Sequence, residues 1–266
     1  MRVTVNESTV SEYASYLALD ELLAAQRPRS AEHDEMMFVV VHQVHELWFK
    51  LLLHEFAHLQ RQLTRSAAAH TLHTLRRAVR VLAAVVAPAG VLETLTPHQF
   101  TGFRAELGSG SGAQSAQFRE IEAVLGRRDP HLYSSFASGS VERARIEAAA
   151  SRPSVFDSLL VFLTSHGYPI PPALLSRDMS RPLEPSAQLR QVLLRVYLDD
   201  GVAAQICDGL VELDQGVQEW RYRHLQLVTR IIGDKPGTGG SAGASYLRTT
   251  LFSRLFPDLW EVRGRL

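Results

Sequence analysis

The 266-residue sequence has a single cysteine, Cys207, and only two lysines, Lys50 and Lys235. One cysteine excludes a disulfide within the chain and is typical of a reducing compartment. Basic and acidic residues number 28 each, so no excess charge attracts nucleic acid or an anionic membrane. Apolar runs are short, and the stretch from Met1 to Tyr13 has no apolar centre like that of a signal peptide. We therefore expect a cytoplasmic protein that binds neither nucleic acid nor membrane.

What the sequence has in abundance is helical periodicity. Hydrophobic residues make up 45% of the chain, enough for one large core. Apolar residues recur at steps of three and four, and no segment alternates in the manner of a strand. We predict an all-α fold with helices over 33–62, 67–87, 97–107, 141–165 (split near Pro153) and 187–232 (broken near Gly201), a helix ending at Gly126, and a last one around Tyr246 to Phe256.

The predicted helix near the C-terminus contains a histidine at an apolar position. Its apolar stripe consists of Ile206, Leu210, Leu213, Val217, Trp220, Leu227 and Ile231, with His224 at the position that continues the same spacing. A buried imidazole needs a hydrogen-bond partner or a metal, because an unpaired polar group costs a few kcal/mol. His224 is therefore a candidate axial ligand, and a core histidine bonded to a carbonyl is the alternative.

Two further histidines lie on the aromatic face of the first long helix. Phe38, His42, His45 and Phe49 follow the three-four spacing that places side chains on one face. This arrangement suggests a cofactor pocket. For His45 alone, a position at the edge of the core is the preferred interpretation.

The same helix matches a zinc-binding pattern. His54, Glu55 and His58 satisfy H-E-x-x-H, in which two histidines bind zinc and the glutamate acts as a base. No third ligand follows at a suitable spacing, so coincidence is the preferred interpretation.

The glycine-rich segment 237–243 lacks the preceding strand and the lysine of a phosphate-binding loop, and we interpret it as a surface loop.

Four separated segments carry a family resemblance. They are YASYLALDELLAAQ (13–26), EHDEMMFVVVHQVHELWFKLLLHE (32–55), LETLTPHQFTGFRAELGSGSGAQSAQFREIE (92–122) and WRYRHLQLVTRIIGDKPGTGGSAG (220–243). In this order the sequence resembles the tryptophan 2,3-dioxygenase family over nearly its whole length. The resemblance implies a helical bundle enclosing heme b, with O2 as co-substrate. It also implies insertion of oxygen into the indole ring (C2=C3) of L-tryptophan, giving N-formylkynurenine.

The resemblance also assigns roles to individual residues. His224 matches the heme ligand, His42 the histidine that hydrogen-bonds the indole N–H, and Phe38 the aromatic wall beside the substrate. Arg104 matches the arginine that binds the substrate carboxylate, a task suited to a planar guanidinium. Thr238 matches a loop threonine at the amino-acid end of the substrate, and Ser111 a serine near the heme and the ammonium group.

Oligomerisation is a further implication of the resemblance. Residues 1–30 are expected to form an N-terminal arm that contacts a neighbouring subunit, and 31–266 a helical catalytic domain that binds heme. Tyr13, Tyr16 and Leu17 would then cover the partner's pocket. The expected assembly is a homotetramer with exchanged arms.

Two positions depart from the family pattern. Phe100 stands where a tyrosine is usual, which removes a hydrogen bond worth about 0.5–1.5 kcal/mol to the substrate carboxylate. Ala113 replaces a bulky phenylalanine beside the serine. Both changes loosen the amino-acid end of the site and leave room for a tryptophan substituted on its side chain as well as for L-tryptophan.

Three functions therefore remain open from the sequence. Dioxygenation to an N-formylkynurenine is the preferred one. Monooxygenation of a derivative such as β-methyltryptophan, to a 2-oxindole or a hydroxylated product in secondary metabolism, is the alternative. A non-catalytic heme sensor is a third, although a gas sensor has no need for an amino-acid clamp such as Arg104 and Thr238.

Overall fold

The computed structural model describes residues 11–108, 110, 114–129, 133–233, 235 and 243–266, and these residues form helices and connections without a strand. The α-helices are α1 (Glu12–Tyr16), α2 (Leu19–Leu23), α3 (His33–Thr64), α4 (Ala68–Val86), α5 (Ala89–Leu92), α6 (Pro97–Phe103), α7 (Ala116–Val124), α8 (Val141–Ala150), α9 (Val155–Ser165), α10 (Pro172–Leu175), α11 (Ala187–Leu198), α12 (Val202–Ile232), α13 (Ala244–Thr250) and α14 (Pro257–Glu261). Short 3₁₀ turns follow α6 (Arg104–Leu107) and α14 (Val262–Arg265). The all-α prediction is confirmed.

The predicted helices agree with the structure along most of the chain. The breaks near Pro153 and Gly201 are confirmed, since α8 ends before the first and α12 begins just after the second. The last predicted helix, over Tyr246 to Phe256, is wrong beyond Thr250. There Leu251 is extended and Phe252 has a φ of +59°, a left-handed conformation that stops a helix.

The core is built around α4, which lies between α3 and α12. Leu75 and Leu82 of α4 face two glycines of α12, seven residues apart on each helix. A Cβ on Gly209 would lie 2.5 Å from Leu75 Cδ2, and one on Gly216 would lie 2.6 Å from Leu82 Cδ2. The missing side chains allow α12 to approach α4 closely.

Helix caps explain where the shorter helices begin. Thr96 accepts a hydrogen bond from the Gln99 N–H, and the Gln99 side chain accepts one from the Thr96 N–H, with Pro97 at the first helical position. Ser154 and Asp157 form the same reciprocal arrangement at the start of α9. Such capping boxes satisfy donors that have no partner inside the helix.

A buried carboxylate ties the C-terminal segment to α12. Asp214 is fully buried and accepts hydrogen bonds from the Leu255 N–H at 3.0 Å, the Trp260 Nε1–H at 2.9 Å and the Phe256 N–H at 3.4 Å. Charge-assisted bonds of this kind are stronger than neutral ones. They hold the segment after α13 against the outer side of α12.

Helix α3 is by itself long and apolar enough to cross a membrane, among the residues that the structure describes; α4 to α6 pass the same test only as a pair bent by 94°. Core helices of folded domains meet this criterion as well. In α3, Leu52, Phe56 and Leu59 are at most 1% exposed and belong to the main hydrophobic core. Core packing therefore explains the apolar character of this part of α3.

The N-terminal segment joins the rest of the chain through its last residues. Helices α1 and α2 have no buried residue. The Glu35 carboxylate of α3 accepts hydrogen bonds from the N–H groups of Arg29 and Ser30, at 2.8 and 2.7 Å. The Gln43 side chain donates to the Ala25 carbonyl at 3.1 Å. Residues 25–30 thus connect α1 and α2 to α3 through hydrogen bonds.

The close contact between α4 and α12 makes a stability prediction. Gly209→Ala should lower the free energy of unfolding by about 1 kcal/mol or more, because overpacking a core costs ~1–3 kcal/mol and the gain in helix propensity is at most ~1 kcal/mol. Urea denaturation of the variant measures this change. Gly90→Ala is the control, because a Cβ added at position 90 would have open space around it. Equal stability of Gly209→Ala and the parent protein would contradict the packing argument.

Candidate functional site

A cavity of about 610 Å³ lies between the N-terminal half of α3 and the C-terminal half of α12, closed on other sides by α6 and α13. Ligand pockets are typically of this size. Most of its wall is apolar, and His42, His224 and Arg104 are polar groups that converge on it. The lining residues described include Phe38, Val39, His42, His45, Glu46, Phe49, Phe100, Arg104, Leu107, Trp220, His224, Leu227, Val228, Ile231, Tyr246 and Leu247.

His224 lies on the α12 wall of the cavity, as the sequence predicts. Its ring is stacked on Trp220, with 5.6 Å between centroids and 12° between planes. Burial, followed by the nearby His42, Arg119 and His45, lowers the pKa of His224 to about 4. Neither ring nitrogen has a hydrogen-bond partner within the described part of the chain. A neutral imidazole without a hydrogen-bond partner keeps a lone pair that a ligand or metal can use. The alternative interpretation, a core histidine hydrogen-bonded to a carbonyl, does not agree with the structure.

His42 faces the cavity from α3. Its Nδ1 lies 2.8 Å from the Phe38 carbonyl, and since a carbonyl only accepts, Nδ1 carries the proton and donates. In the neutral ring, Nε2 is therefore the acceptor. Burial lowers the pKa of His42, which favours that neutral form. His42 thus presents a hydrogen-bond acceptor to whatever occupies the cavity.

Three phenylalanines form an aromatic corner beside His42. The Phe38 ring lies 4.0 Å from that of His42, 5.9 Å from that of Phe100 and 5.4 Å from that of Phe103, measured between centroids. Phe38 and Phe100 line the cavity, and Phe100 is 8% exposed. The corner is shaped for a flat apolar group.

Arg104 stands at the polar end of the cavity, in the 3₁₀ turn that follows α6. The predicted site residues Ser111, Ala113 and Thr238 lie outside the described residues. Described residues of the same two segments, Gly110, Gln114 and Gly243, line the cavity.

The three predicted arm residues do not line this chain's own cavity. Tyr13 and Tyr16, on α1, are 69% and 90% exposed, and Leu17 follows at 42%. Large apolar side chains at such exposure are typical of a surface that meets a partner.

His45 has a more definite environment than its sequence pattern indicates. It is buried, and its Nε2–H donates to the Val85 carbonyl, at the end of α4, over 3.1 Å. Its ring lies 4.8 Å from Trp220, and burial first, then His42, lowers its pKa to about 4. His45 is therefore a histidine at the edge of the core whose Nε2–H has a hydrogen-bond acceptor. It also lines the cavity.

A buried ionic cluster beside the cavity is a feature that the sequence analysis missed. The Glu122 carboxylate of α7 binds Arg119 at 2.7 Å, Arg127 at 2.8 Å and Arg221 at 2.7 Å. Burial alone raises the pKa of Glu122, but the three arginines lower it overall. The only signal in the sequence is Arg221, a charged residue directly beside the apolar stripe of α12.

The residues of the H-E-x-x-H pattern contact other side chains or are exposed to solvent. Glu55 is buried and accepts from Arg77 over 3.3 Å, and His58 Nε2 lies 3.1 Å from Gln62 Nε2. His54 is exposed. Within the described ranges, no group of three or more His, Cys, Asp or Glu side chains lies close enough together to hold a metal.

The fold and the cavity define a class: an all-helical protein with a largely apolar, aromatic-walled binding site between two histidine-bearing helices. The tryptophan 2,3-dioxygenase family model matches residues 2–147 and 152–266. A tryptophan 2,3-dioxygenase of Anaeromyxobacter sp. (strain K) is 56% identical over 97% of both chains. Those of Herpetosiphon aurantiacus and Caulobacter vibrioides are 46% and 39% identical, each over 96% of this chain and 98% of the relative.

The chain therefore belongs to the tryptophan 2,3-dioxygenase family. This confirms the resemblance seen in the four sequence segments and the prediction that the protein is an enzyme.

The hydrogen bond of His45 can be tested directly. His45→Leu should lower the free energy of unfolding by about 1–3 kcal/mol, because it leaves the Val85 carbonyl without a donor in a buried position. Denaturant titration gives the value. His54→Leu is the control: it changes an exposed histidine of the same helix and should leave the free energy of unfolding nearly unchanged. A His45→Leu protein as stable as that control would mean that this bond contributes nothing.

Proposed function

We propose that this protein is a heme-dependent oxygenase that inserts both atoms of O2 across the indole C2=C3 bond of L-tryptophan, or of a side-chain-substituted tryptophan, giving an N-formylkynurenine. The observation that carries the proposal is the placement of His224 and His42 on opposing helices at one apolar cavity of about 610 Å³. The family membership of the chain supports the same reaction.

The donor set on the α12 wall fits heme b. His224 is neutral and has no hydrogen-bond partner among the described residues, and neutral imidazole is a common ligand of heme iron. Leu227, Val228 and Ile231 continue an apolar wall suited to a porphyrin. Heme bound through His224 supplies the redox chemistry that activates O2.

His42 positions the substrate ring in this proposal. The unprotonated Nε2 accepts a hydrogen bond from the indole N–H, while the bond from Nδ1 to the Phe38 carbonyl fixes the ring orientation. The indole N–H is a far weaker acid than an imidazolium, so His42 serves to orient the substrate and not to remove its proton. Phe38 packs beside the same ring.

Arg104 binds the substrate carboxylate. A guanidinium offers two parallel donors to a carboxylate, and such a pair is stronger where the wall excludes water. The family resemblance gives Thr238 a role at the polar end of the amino acid and Ser111 one near the heme and the ammonium group, and Gly110, Gln114 and Gly243 of the same segments line the cavity. Catalysis then depends on holding the indole at His42 and the carboxylate at Arg104 together.

Phe100 supports the extension to substituted tryptophans. Its ring lines the cavity at the aromatic corner, and it has no hydroxyl to bond the carboxylate. Compared with the family pattern, Phe100 offers one polar contact fewer to the substrate, and Ala113 is smaller than the phenylalanine usual at its position. An added methyl group is accommodated at this end.

We propose a cytoplasmic homotetramer with exchanged N-terminal arms. The exposed Tyr13 and Tyr16 offer apolar surface that a partner's cavity mouth would cover. The outer face of α3 supports the same assembly, because Met36, Val40 and Leu47 are between 39% and 48% exposed. Sedimentation of the full chain, with and without residues 1–30, measures both the assembly and its dependence on the arm.

Product mass and heme retention test the reaction together. The ferrous holoprotein under air should convert L-tryptophan to a product heavier by two oxygen atoms. His224→Ala should lose the Soret band, whereas His42→Ala should keep the band and lose most of its activity. His98→Ala, an exposed histidine of α6, is the control and should match the parent.

Other outcomes decide among the alternatives. A gain of one oxygen atom would indicate monooxygenation. Full heme binding with no product from L-tryptophan or β-methyltryptophan would indicate a sensor. A heme-replete and active His224→Ala protein would refute the ligand assignment.

Restoring a hydroxyl at position 100 tests the substrate contact. Phe100→Tyr should lower KM for L-tryptophan by about two- to tenfold, the effect of one hydrogen bond of ~0.5–1.5 kcal/mol. For β-methyltryptophan the decrease in KM should be smaller, because the added hydroxyl occupies space near the substrate's side chain. Steady-state kinetics with both substrates measures the difference. An unchanged ratio of the two KM values would contradict this role of Phe100.

A further inference from the structure

A second, small cavity lies beside His224. Its volume is about 40 Å³, and its wall is formed by residues of α7, α12 and α13. His224 and Trp220 line both this cavity and the large one. One imidazole therefore borders two cavities, one large enough for a ligand and the other only for small molecules.

Arg221, one of the residues that line the small cavity, has an unsatisfied donor. The Arg221 side chain is 4% exposed, and its two terminal nitrogens bind Glu122 at 2.7 Å and the Ser253 carbonyl at 2.8 Å. Its Nε is buried and has no partner among the described residues. A buried donor left in this state is costly, and ordered water is the usual partner. The volume is sufficient, because one water needs roughly 10–15 Å³ of such space.

His224 has a matching requirement. A histidine that binds a metal through one nitrogen almost always donates its other N–H to a carboxylate, a carbonyl or a water. In the described part of the chain no protein atom accepts from His224. The small cavity borders this imidazole and provides the space for such an acceptor.

We propose that an ordered water in the small cavity accepts hydrogen bonds from the ring N–H of His224 and from Arg221 Nε. This inference rests on the proposed function, in which the other nitrogen of His224 binds the heme iron. The water donates its own hydrogens to oxygen atoms of the same wall, which includes Glu122, Ser115 and Thr250. Water with two to four polar partners is well held in a protein interior.

The electrostatic setting determines what this water does to His224. Arg119, Arg127 and Arg221 surround Glu122, and Asp129 approaches Arg127 at 3.5 Å, so cations outnumber carboxylates next to the cavity. A water held by an arginine is a weaker acceptor than a carboxylate. His224 therefore keeps its proton and stays a neutral ligand, which favours the reduced state of the iron over the oxidised one.

High-resolution crystallography of the holoprotein tests the site itself. We expect a water within hydrogen-bond distance of both the His224 ring nitrogen and Arg221 Nε. A dry cavity, or a carboxylate of the cofactor in that place, overturns the inference. This measurement needs no variant and so does not depend on the folding of one.

A pair of threonines in α13 allows a matched variant test. Thr250 is buried and lines the small cavity, whereas Thr249 is exposed. Both donate their hydroxyl to the carbonyl three residues earlier, at 2.8 and 2.7 Å. Thr250→Ile fills the cavity and should exclude the water, while Thr249→Val removes the same kind of local bond without touching it.

The vibration of the iron–His224 bond in the ferrous protein reports the effect. In Thr250→Ile the stretching band should shift to lower frequency, because the ring N–H loses its acceptor; in Thr249→Val it should not move. Equal frequencies in Thr250→Ile and the parent overturn the inference. If heme binds through His224 and the cavity is dry, this inference alone fails. Retention of the full heme spectrum by His224→Ala refutes the proposed function as well.

Discussion

The end of helix α4 is the constraint on which the site depends. Between α3 and α12, α4 fills the space as far as Val85, and its close approach to α12 at Gly209 and Gly216 sets the spacing of the bundle. Beyond Val86 the chain continues as α5, whose Leu92 packs with Val41 of α3 and Leu227 of α12 beside the cavity. His45 closes the core at this level, bonded to Val85 and packed on Trp220. One helical turn further along α3 and α12 come His42 and His224, and the cavity begins.

This arrangement explains why the histidines of the site are neutral. Burial lowers the pKa values of His42, His45 and His224, because the apolar walls that form the cavity also disfavour a charged imidazole. Arg119, one of the arginines around Glu122, also lowers the pKa of His224. A ligand histidine and a hydrogen-bond acceptor both require the unprotonated nitrogen, so the desolvation that shapes the cavity also prepares its chemistry.

The sequence predicted those parts of the molecule that depend on one helix at a time. Two periodic patterns were predicted, the α12 stripe with Trp220 and His224 and the α3 face with Phe38 and His42. Both line the same cavity in the structure. Contacts across the fold were not predictable in this way. The partner of His45 is a carbonyl 40 residues away, and one partner of Glu122, Arg221, is 99 residues away. The C-terminal helix was predicted too long because the left-handed conformation of Phe252 has no signal in a residue type that rarely adopts it.

The site divides its tasks between two kinds of structure. The groups assigned to the cofactor and the indole, His224, His42 and Phe38, lie on the two longest helices, whose positions are fixed by the core. The group assigned to the amino-acid end, Arg104, lies in a 3₁₀ turn, and Gly110 and Gly243, which line the same cavity, belong to connections. Connections tolerate substitution better than core helices, because fewer packed neighbours must adjust. Phe100, by contrast, lies in α6, and its ring is 5.9 Å from that of Phe38, so in the proposed function a change at position 100 affects the amino-acid end and the indole wall together.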